Sequence, residues 1–173
     1  KDDRRVHNKP IPRFGGIAIF AGIAAAFIVQ YIGTMHFGWP VVLVPSPRMR
    51  VDYWMLVLAF CVIFLTGLLD DKYSLKPKQK LAGQLAAAII AVAGGLVIGD
   101  ISNPFGVGFI SLGWLAYPVT VVYLVAYVNI INLIDGLDGL AVGVSAISTA
   151  SLIVVALMVK EVNIAVILCA LFG

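Results

Sequence analysis

A series of long apolar segments, separated by short polar stretches, constrains this chain more than any other feature. The segments lie at about 14–33, 53–69, 81–98, 112–131 and 140–159, and a sixth begins near Val162. Each of the first five approaches the roughly 20 residues that a helix needs to cross a bilayer. Only 12% of the residues are charged, against roughly 25% in an ordinary soluble domain. We therefore predict an all-α integral membrane protein, a polytopic bundle of five to six transmembrane helices.

The sequence contains no internal repeat and no separate soluble domain, so we expect one membrane-embedded domain over residues 1–173. The chain stops inside the apolar run "LCALFG", which indicates a piece of a longer protein. Two connectors, "HFGWPVVLVPSPRMR" and "GDISNPFGVGFIS", carry Pro and Gly and indicate loops or a short hairpin.

The distribution of Lys and Arg favours one orientation of the bundle. If the segments alternate in direction, nine of the 12 basic residues fall on one side and three on the other. Cytoplasmic loops of membrane proteins are enriched in Lys and Arg, so the first side is predicted to be cytoplasmic. The cytoplasmic loops are then about 1–13, 70–80 and 132–139, and three unusual polar stretches share one membrane face.

The first polar stretch, "GLLDDKYSLKPKQK", places Asp70 and Asp71 where an apolar segment ends. At the membrane interface these carboxylates avoid the full cost of a charge in the middle of the bilayer. Adjacent carboxylates repel each other and need a nearby cation to stay ionised. Oxygen ligands of this kind suit Mg²⁺ that also contacts substrate phosphates. The alternative is a solvated helix end in which Lys72 is the partner of the acids.

The second stretch, "NIINLIDGLDGL", is unusually polar for its apolar surroundings. In a helix its polar residues would step by three and stay within one broad face; they are Asn129, Asn132, Asp135 and Asp138. The glycines weaken a helix but let backbone or ligand come close. The pattern predicts a polar rim where an apolar helix opens into water, and the alternative is a helix end capped by Asp and broken by Gly.

The third stretch, "RRVHNKPIPRFGG", belongs to an N-terminal region with five Lys or Arg residues among its first 13 positions. Its prolines favour an extended path, because a residue before proline avoids the helical region. Its basic residues suit the binding of phosphate, and the alternative is an anchor for anionic lipid head groups. Acidic clusters and a basic loop on one face together favour a protein that joins a soluble phosphorylated donor to a lipid acceptor.

The three stretches resemble, in their order and spacing, the motifs of the polyprenyl-phosphate N-acetylhexosamine-1-phosphate transferases. The residues that carry the resemblance are "RRVHNKPIPRFGG", "GLLDDKYSLKPKQKLAGQ" and "NIINLIDGLDGLAVG". The resemblance covers essentially the whole chain. The first stretch is similar to the branch that uses UDP-N-acetylglucosamine (UDP-GlcNAc), since the related muramoyl-pentapeptide branch usually has "TPTMGG" where this chain has "IPRFGG". By this resemblance, further motifs of the family would follow Gly173 and an initial helix would precede Lys1.

The resemblance implies a Mg²⁺-dependent glycosyl-1-phosphate transferase of the bacterial plasma membrane, with its active site on the cytoplasmic face. It would transfer GlcNAc-1-phosphate from UDP-GlcNAc to undecaprenyl phosphate and release UMP. That reaction would be the first membrane step in the synthesis of envelope glycans such as teichoic acid or O-antigen. Mn²⁺ is an alternative ion, a homodimer is one option for the assembly, and no nucleic-acid partner is expected.

Roles follow from the resemblance position by position. The predicted catalytic residues are Asp70, Asp71, Asp135 and Asp138. The predicted substrate-binding residues are His7, Lys9, Arg13, Lys72, Lys80, Gln84, Asn129 and Asn132. The predicted metal ligands are Asp70, Asp71 and Asn132.

Two other classes of protein are alternatives. A cation- or proton-coupled transporter also holds aspartates in a membrane domain, but transporter sites tend toward the bilayer midplane and repeated halves. The acids of this chain lie at segment ends instead. A scaffold whose polar loops only bind lipid head groups is the third interpretation, and transfer of label from UDP-GlcNAc into lipid separates the three.

Overall fold

The computed structural model describes residues 15–39, 51–135 and 139–172, and within these ranges it is a bundle of six α-helices with one β-hairpin. In chain order the elements are α1 (Gly15–Phe37), α2 (Tyr53–Tyr73), α3 (Pro77–Ala93), β1 (Asp100–Ser102), β2 (Phe109–Ser111), α4 (Ala116–Ile134), α5 (Leu140–Met158) and α6 (Val162–Phe172). The predicted helical membrane fold is confirmed. The connector "GDISNPFGVGFIS" forms the hairpin that was one of its two predicted forms, with Ile101 opposite Ile110 in an antiparallel pair.

Within the described ranges, four helices are long and apolar enough to cross a membrane. They are α1, α2, α4 with the 3₁₀ turn that precedes it, and α5. Helix α3 has 17 residues and α6 has 11. The chain is therefore an integral membrane protein, while the number of five to six crossings stays a prediction.

The helices agree closely with the predicted apolar segments except at α3. The third segment was expected at about 81–98, whereas α3 runs from Pro77 to Ala93. Proline suits the first position of a helix because its fixed φ is already helical and its missing N–H has no partner there. The pair Gly94–Gly95 ends the helix, since Gly95 adopts the left-handed φ of 91°.

Helix α3 packs against both α2 and α4, and small residues make this close packing possible. Ala87, Ala88 and Ala91 are buried. Gly83 faces α2 so closely that a Cβ built on it would lie 3.0 Å from the Cβ of Thr66. Small residues let helix backbones approach each other in a bilayer, where the hydrophobic effect no longer drives helices together.

Large apolar side chains mostly lie on the outside of the described bundle, whereas its buried apolar residues are alanines and one valine. Lipid tails are as apolar as these outer side chains. The arrangement is therefore that of a membrane bundle, in which packing comes from close contact of small residues.

The start of α2 is joined to the end of α3 through Asp52, the residue that caps α2. The Asp52 side chain accepts hydrogen bonds from the backbone N of Trp54 at 2.9 Å and of Met55 at 3.3 Å. The Asp52 backbone N donates to the carbonyl of Gly94 at 2.6 Å. This end of the helix pair leads into the hairpin. The opposite end, where α2 stops and α3 begins, carries the polar residues.

Candidate active site at the polar end of α2, α3 and α4

Asp70 lies in the last turn of α2 and holds the turn that follows. Its Oδ1 accepts a hydrogen bond from the backbone N of Leu75 at 3.1 Å, and its backbone carbonyl accepts one from the N of Ser74 at 2.8 Å. Ser74 adopts a left-handed conformation, with φ of 50°, so the chain leaves the helix abruptly. The side chain of Asp70 is 27% exposed, and its Oδ2 faces α3.

Lys80, in the first turn of α3, connects three helices. Its Nζ lies 3.0 Å from Asp70 Oδ2 at the end of α2. The same Nζ donates to Asn132 Oδ1 of α4, also at 3.0 Å. One half-buried ammonium group therefore holds a carboxylate and an amide oxygen from two segments that are far apart in sequence.

A second contact between α3 and α4 lies one helical turn further into the bundle. Gln84 Nε2 donates to Asn129 Oδ1 at 3.3 Å, and Asn129 Nδ2 donates to Gln84 Oε1 at 2.7 Å. Lys80 and Gln84 are four residues apart, and Asn129 and Asn132 are three apart, so each pair shares a helix face. The contacts run in opposite order along the two helices, which makes α3 and α4 antiparallel neighbours.

Asp71 and Lys72 have surroundings different from those of Asp70. Asp71 lines a cavity of about 150 Å³ between the end of α2 and the start of α1, where Gly16 and Ile17 are among the other lining residues. The Nζ of Lys72 lies 5.0 Å from the ring centroid of Tyr73. The two adjacent carboxylates thus face different helices, Asp70 toward α3 and Asp71 toward α1.

The polar stretch after Asn132 leaves the helix earlier than a continuous helical pattern would. Helix α4 ends at Ile134, Asp135 is its C-cap, and α5 starts after Gly139, whose φ is 77°. Asn129 and Asn132 follow the predicted helical step, and Asp135 lies just beyond it. The stretch therefore combines a polar helix face with a helix end, which are the two interpretations of its sequence.

Several predicted site residues lie outside the described residues. These are His7, Lys9, Arg13 and Asp138. Their predicted roles, like those of the described site residues, stay predictions.

The donor atoms at this end of the bundle suit Mg²⁺. Asp70 Oδ2 and Asn132 Oδ1 both contact the Lys80 ammonium, and each side chain keeps a further oxygen lone pair that could bind an ion beside it. Mg²⁺ that is shared with substrate phosphates needs only one or two carboxylates and keeps several waters. Within the described ranges, no three His, Cys, Asp or Glu side chains are grouped closely enough to hold a metal ion. The chemistry thus fits an ion held by few protein ligands together with phosphate oxygens.

Sequence reasoning missed the contact that fixes α3 against α2 beside the site. Gly83 packs on Thr66, one turn from Lys80, and the hydroxyl of Thr66 donates to the carbonyl of Val62 at 2.8 Å. The small residues in "LAGQLAAA" were a signal for close packing, but a pattern that is apolar on all sides does not say which residue meets which neighbour.

Comparison with known proteins identifies the family of this chain. The model of the family described as glycosyl transferase family 4 matches residues 53–173. A probable undecaprenyl-phosphate N-acetylglucosaminyl 1-phosphate transferase of Bacillus subtilis (strain 168) is 41% identical over 155 residues, which cover 90% of this chain and 39% of the relative.

Two more distant relatives have similar names. A decaprenyl-phosphate N-acetylglucosaminephosphotransferase of Mycobacterium tuberculosis (strain ATCC 25618 / H37Rv) is 34% identical over 84% of this chain and 35% of the relative. An undecaprenyl-phosphate alpha-N-acetylglucosaminyl 1-phosphate transferase of Yersinia pestis is 28% identical over 84% of this chain and 36% of the relative. The chain thus spans less than two-fifths of the length of these relatives. No solved structure matches it significantly.

Proposed function

Since this chain belongs to glycosyl transferase family 4, we propose that the protein transfers GlcNAc-1-phosphate from UDP-GlcNAc to a polyprenyl phosphate and releases UMP. The observation that carries the proposal is the meeting of Asp70, Lys80 and Asn132 at one end of the bundle. The names of the relatives, which are polyprenyl-phosphate GlcNAc-phosphate transferases, support the same reaction type.

The chemistry requires two anions, the diphosphate of the donor and the phosphate of the lipid, to come together despite their repulsion. Phosphoryl transfer depends mainly on positioning and on neutralising this charge. Lys80 is a half-buried cation at the open end of the site, and it is the described side chain best placed to hold a phosphate oxygen. Burial strengthens such contacts because a site that excludes water screens charge less.

Asp70 and Asn132 would hold Mg²⁺ beside Lys80, through lone pairs that the ammonium does not use. Asp71, which faces α1, stays a ligand predicted from sequence alone. The ion would neutralise charge on the diphosphate and on the departing UMP. In the proposed step an oxygen of the lipid phosphate attacks the β-phosphorus of UDP-GlcNAc. One new oxygen–phosphorus bond forms, the bond to the bridging oxygen breaks, and UMP leaves with that oxygen. The lipid phosphate is already anionic, so direct attack needs no protein base.

The position of the site distinguishes this proposal from a transporter. Asp70 lies in the last turn of α2 and Lys80 in the first turn of α3, whereas coupling sites of transporters tend toward the bilayer midplane. A site at a helix end is accessible both to a soluble nucleotide and to a lipid phosphate. We propose that this end faces the cytoplasm of a bacterial plasma membrane, where it would start an envelope glycan of the teichoic acid or O-antigen type.

A double-label experiment tests the reaction. Membranes that contain the full-length protein are given polyprenyl phosphate and UDP-GlcNAc labelled with ¹⁴C in the sugar and ³²P in the β-phosphate. Both labels should enter the lipid fraction in equal amounts, UMP should be released, and removal of Mg²⁺ by a chelator should stop the transfer until Mg²⁺ is restored. Matched membranes without the protein are the control. Release of UDP, or ¹⁴C in lipid without ³²P, would show a different transferase reaction and overturn the proposal.

A further inference from the structure

Two layers of polar contacts connect α3 to α4, and the inner layer is built differently from the outer one. In the outer layer Lys80 contacts Asn132 at the half-exposed end of the bundle. In the inner layer the side chains of Gln84 and Asn129 bond to each other in both directions. Gln84 is only 3% exposed, so the inner layer is closed at the side of α3.

The hydrogen-bonding groups of the inner pair are largely used within the protein. Asn129 Nδ2 donates to Gln84 Oε1 at 2.7 Å and to the backbone carbonyl of Val125 at 2.8 Å. A carboxamide has two N–H groups, so Asn129 has no donor left for a phosphate. Lys80 differs, because its side chain is 25% exposed and lies at the open end of the site.

Helix α3 is fixed from its other side at the same level. Gly83, the neighbour of Gln84, is in close contact with the Thr66 side chain of α2. Residues 83 and 84 therefore set the position of α3 against both of its neighbours. Lys80 lies one turn away on the same helix, so its position depends on the contacts of Gly83 and Gln84.

We propose that Gln84 and Asn129 are positioning residues: their reciprocal pair fixes the rotation and depth of α3 against α4 and so holds Lys80 Nζ between Asp70 and Asn132, without touching substrate. This role differs from the substrate-binding role that the sequence predicts for both residues. The inference deepens the proposed transferase function and rests on it, because the group being positioned is the one that would hold phosphate.

The first test is the kinetics of Gln84→Met in the full-length protein. Methionine keeps the length and flexibility of the side chain but lacks its amide. We expect kcat to fall by about 10- to 100-fold, because small misplacements of a reacting group cost that much, while KM for UDP-GlcNAc changes by less than about twofold. The control is Leu85→Met, a change to the same residue at the adjacent, exposed position of the same helix. A raised KM with unchanged kcat would indicate direct substrate contact and overturn the inference, as would unchanged kinetics.

The second test exchanges the two amides. Gln84→Asn shortens one side of the pair and Asn129→Gln lengthens the other, so each single variant should lose activity. The double variant restores the total length and the reciprocal bonding, and it should recover most of the activity. Substrate contacts of two independent residues predict additive losses instead, and additive losses would refute the pairing. This exchange also carries the test if Gln84→Met does not reach the membrane.

The third test does not depend on catalysis. An amine-acylating reagent is applied to the membranes, and modification of each lysine is measured by mass spectrometry. Lys80 should react several-fold more slowly than the exposed Lys78 of the same helix. Gln84→Met should raise the reactivity of Lys80, and Leu85→Met should not. Unchanged reactivity of Lys80 would overturn the positioning role even in a protein without transferase activity. Absence of transferase activity in the protein without substitutions would instead overturn the proposed function.

Discussion

Single residues at the polar end of the bundle combine structural and chemical roles. Asp70 uses one carboxylate oxygen to hold the backbone of Leu75 and presents the other to Lys80. A hydrogen bond to a charged acceptor is stronger than one between neutral groups, so the negative charge also stabilises the turn after α2. A substitution at this position should therefore remove the charge of Asp70 and keep its hydrogen bond to Leu75, so that an effect on catalysis can be separated from an effect on folding.

Asp70→Asn is that substitution, because Asn keeps the size of the side chain and an oxygen for the N–H of Leu75 while it removes the charge. We expect transfer of GlcNAc-1-phosphate to fall by roughly 10²–10³-fold, the usual cost of losing one electrostatic stabiliser. The rate of label transfer into lipid measures the effect. Asp52→Asn is the matched control, since it makes the same change at the opposite end of α2 and Asn also caps helices. Near-normal turnover by Asp70→Asn would remove Asp70 from the chemistry.

Helices α2 and α3 are connected by a backbone hydrogen bond at one end, from Asp52 N to the Gly94 carbonyl, and by close packing near the other. The side chain of Asp52 also caps α2, because it accepts hydrogen bonds from two backbone N–H groups of that helix. The packing contact pairs Gly83 with Thr66. Neither contact uses a polar group of the site, so each can be tested by its effect on the unfolding midpoint.

Asp52→Ala tests the cap. Loss of an N-cap side chain typically lowers stability by about 1 kcal/mol, so the unfolding midpoint in detergent should fall in Asp52→Ala and stay near that of the unmodified protein in Asp52→Asn. Transfer activity below the unfolding temperature should be unchanged in both. Equal stability of the Ala and Asn variants would contradict a capping role.

Gly83→Ala tests the close contact of α3 with α2. The added methyl group meets the Thr66 side chain, and overpacking of this kind costs about 1–3 kcal/mol, so the unfolding midpoint should fall. Combining it with Thr66→Ala removes the two side-chain atoms nearest to the new methyl group and should recover part of the loss. Gly67→Ala is the control, because nothing lies within 4 Å of a Cβ there. Equal effects of Gly83→Ala and Gly67→Ala would show that the contact is not tight.

The extent of each element was largely predictable from sequence, whereas contacts between elements were not. The bilayer requires long apolar helices, and this requirement dominates the sequence so strongly that most helix positions follow from it. The same apolar character hides the rotation of each helix, because no polar stripe separates an inner from an outer face. The pairing of Gln84 with Asn129, and the different directions of Asp70 and Asp71, therefore became visible only in the structure.

At the scale of the whole molecule, the polar residues of α2, α3 and α4 collect at one end, and the hairpin lies at the other. Sequence analysis placed the stretches at 70–80 and 132–139 on one face from the charges of their loops. The contact of Lys80 with Asn132 brings these two stretches together.

Single-cysteine labelling measures the orientation. Cys61 and Cys169 are first replaced by Ala, and one cysteine is introduced either at Lys78, near the site, or at Phe105, which is 96% exposed in the hairpin connection. In intact spheroplasts a membrane-impermeant maleimide should label the hairpin position and spare position 78, because Lys- and Arg-rich loops stay in the cytoplasm. Both should react after the membrane is opened. Labelling of position 78 in intact spheroplasts would reverse the proposed orientation.

The shortness of α3 has a consequence for where a reaction can occur. Its 17 residues span about 26 Å at 1.5 Å per residue, less than the roughly 30 Å thickness of the hydrocarbon layer. If α3 crosses the bilayer, as the sequence predicts, Lys80 on its first turn would lie at the level of the lipid head groups. The phosphate of a polyprenyl lipid lies at the same depth, so the lipid acceptor could react with the soluble nucleotide while its hydrocarbon chain stays in the leaflet.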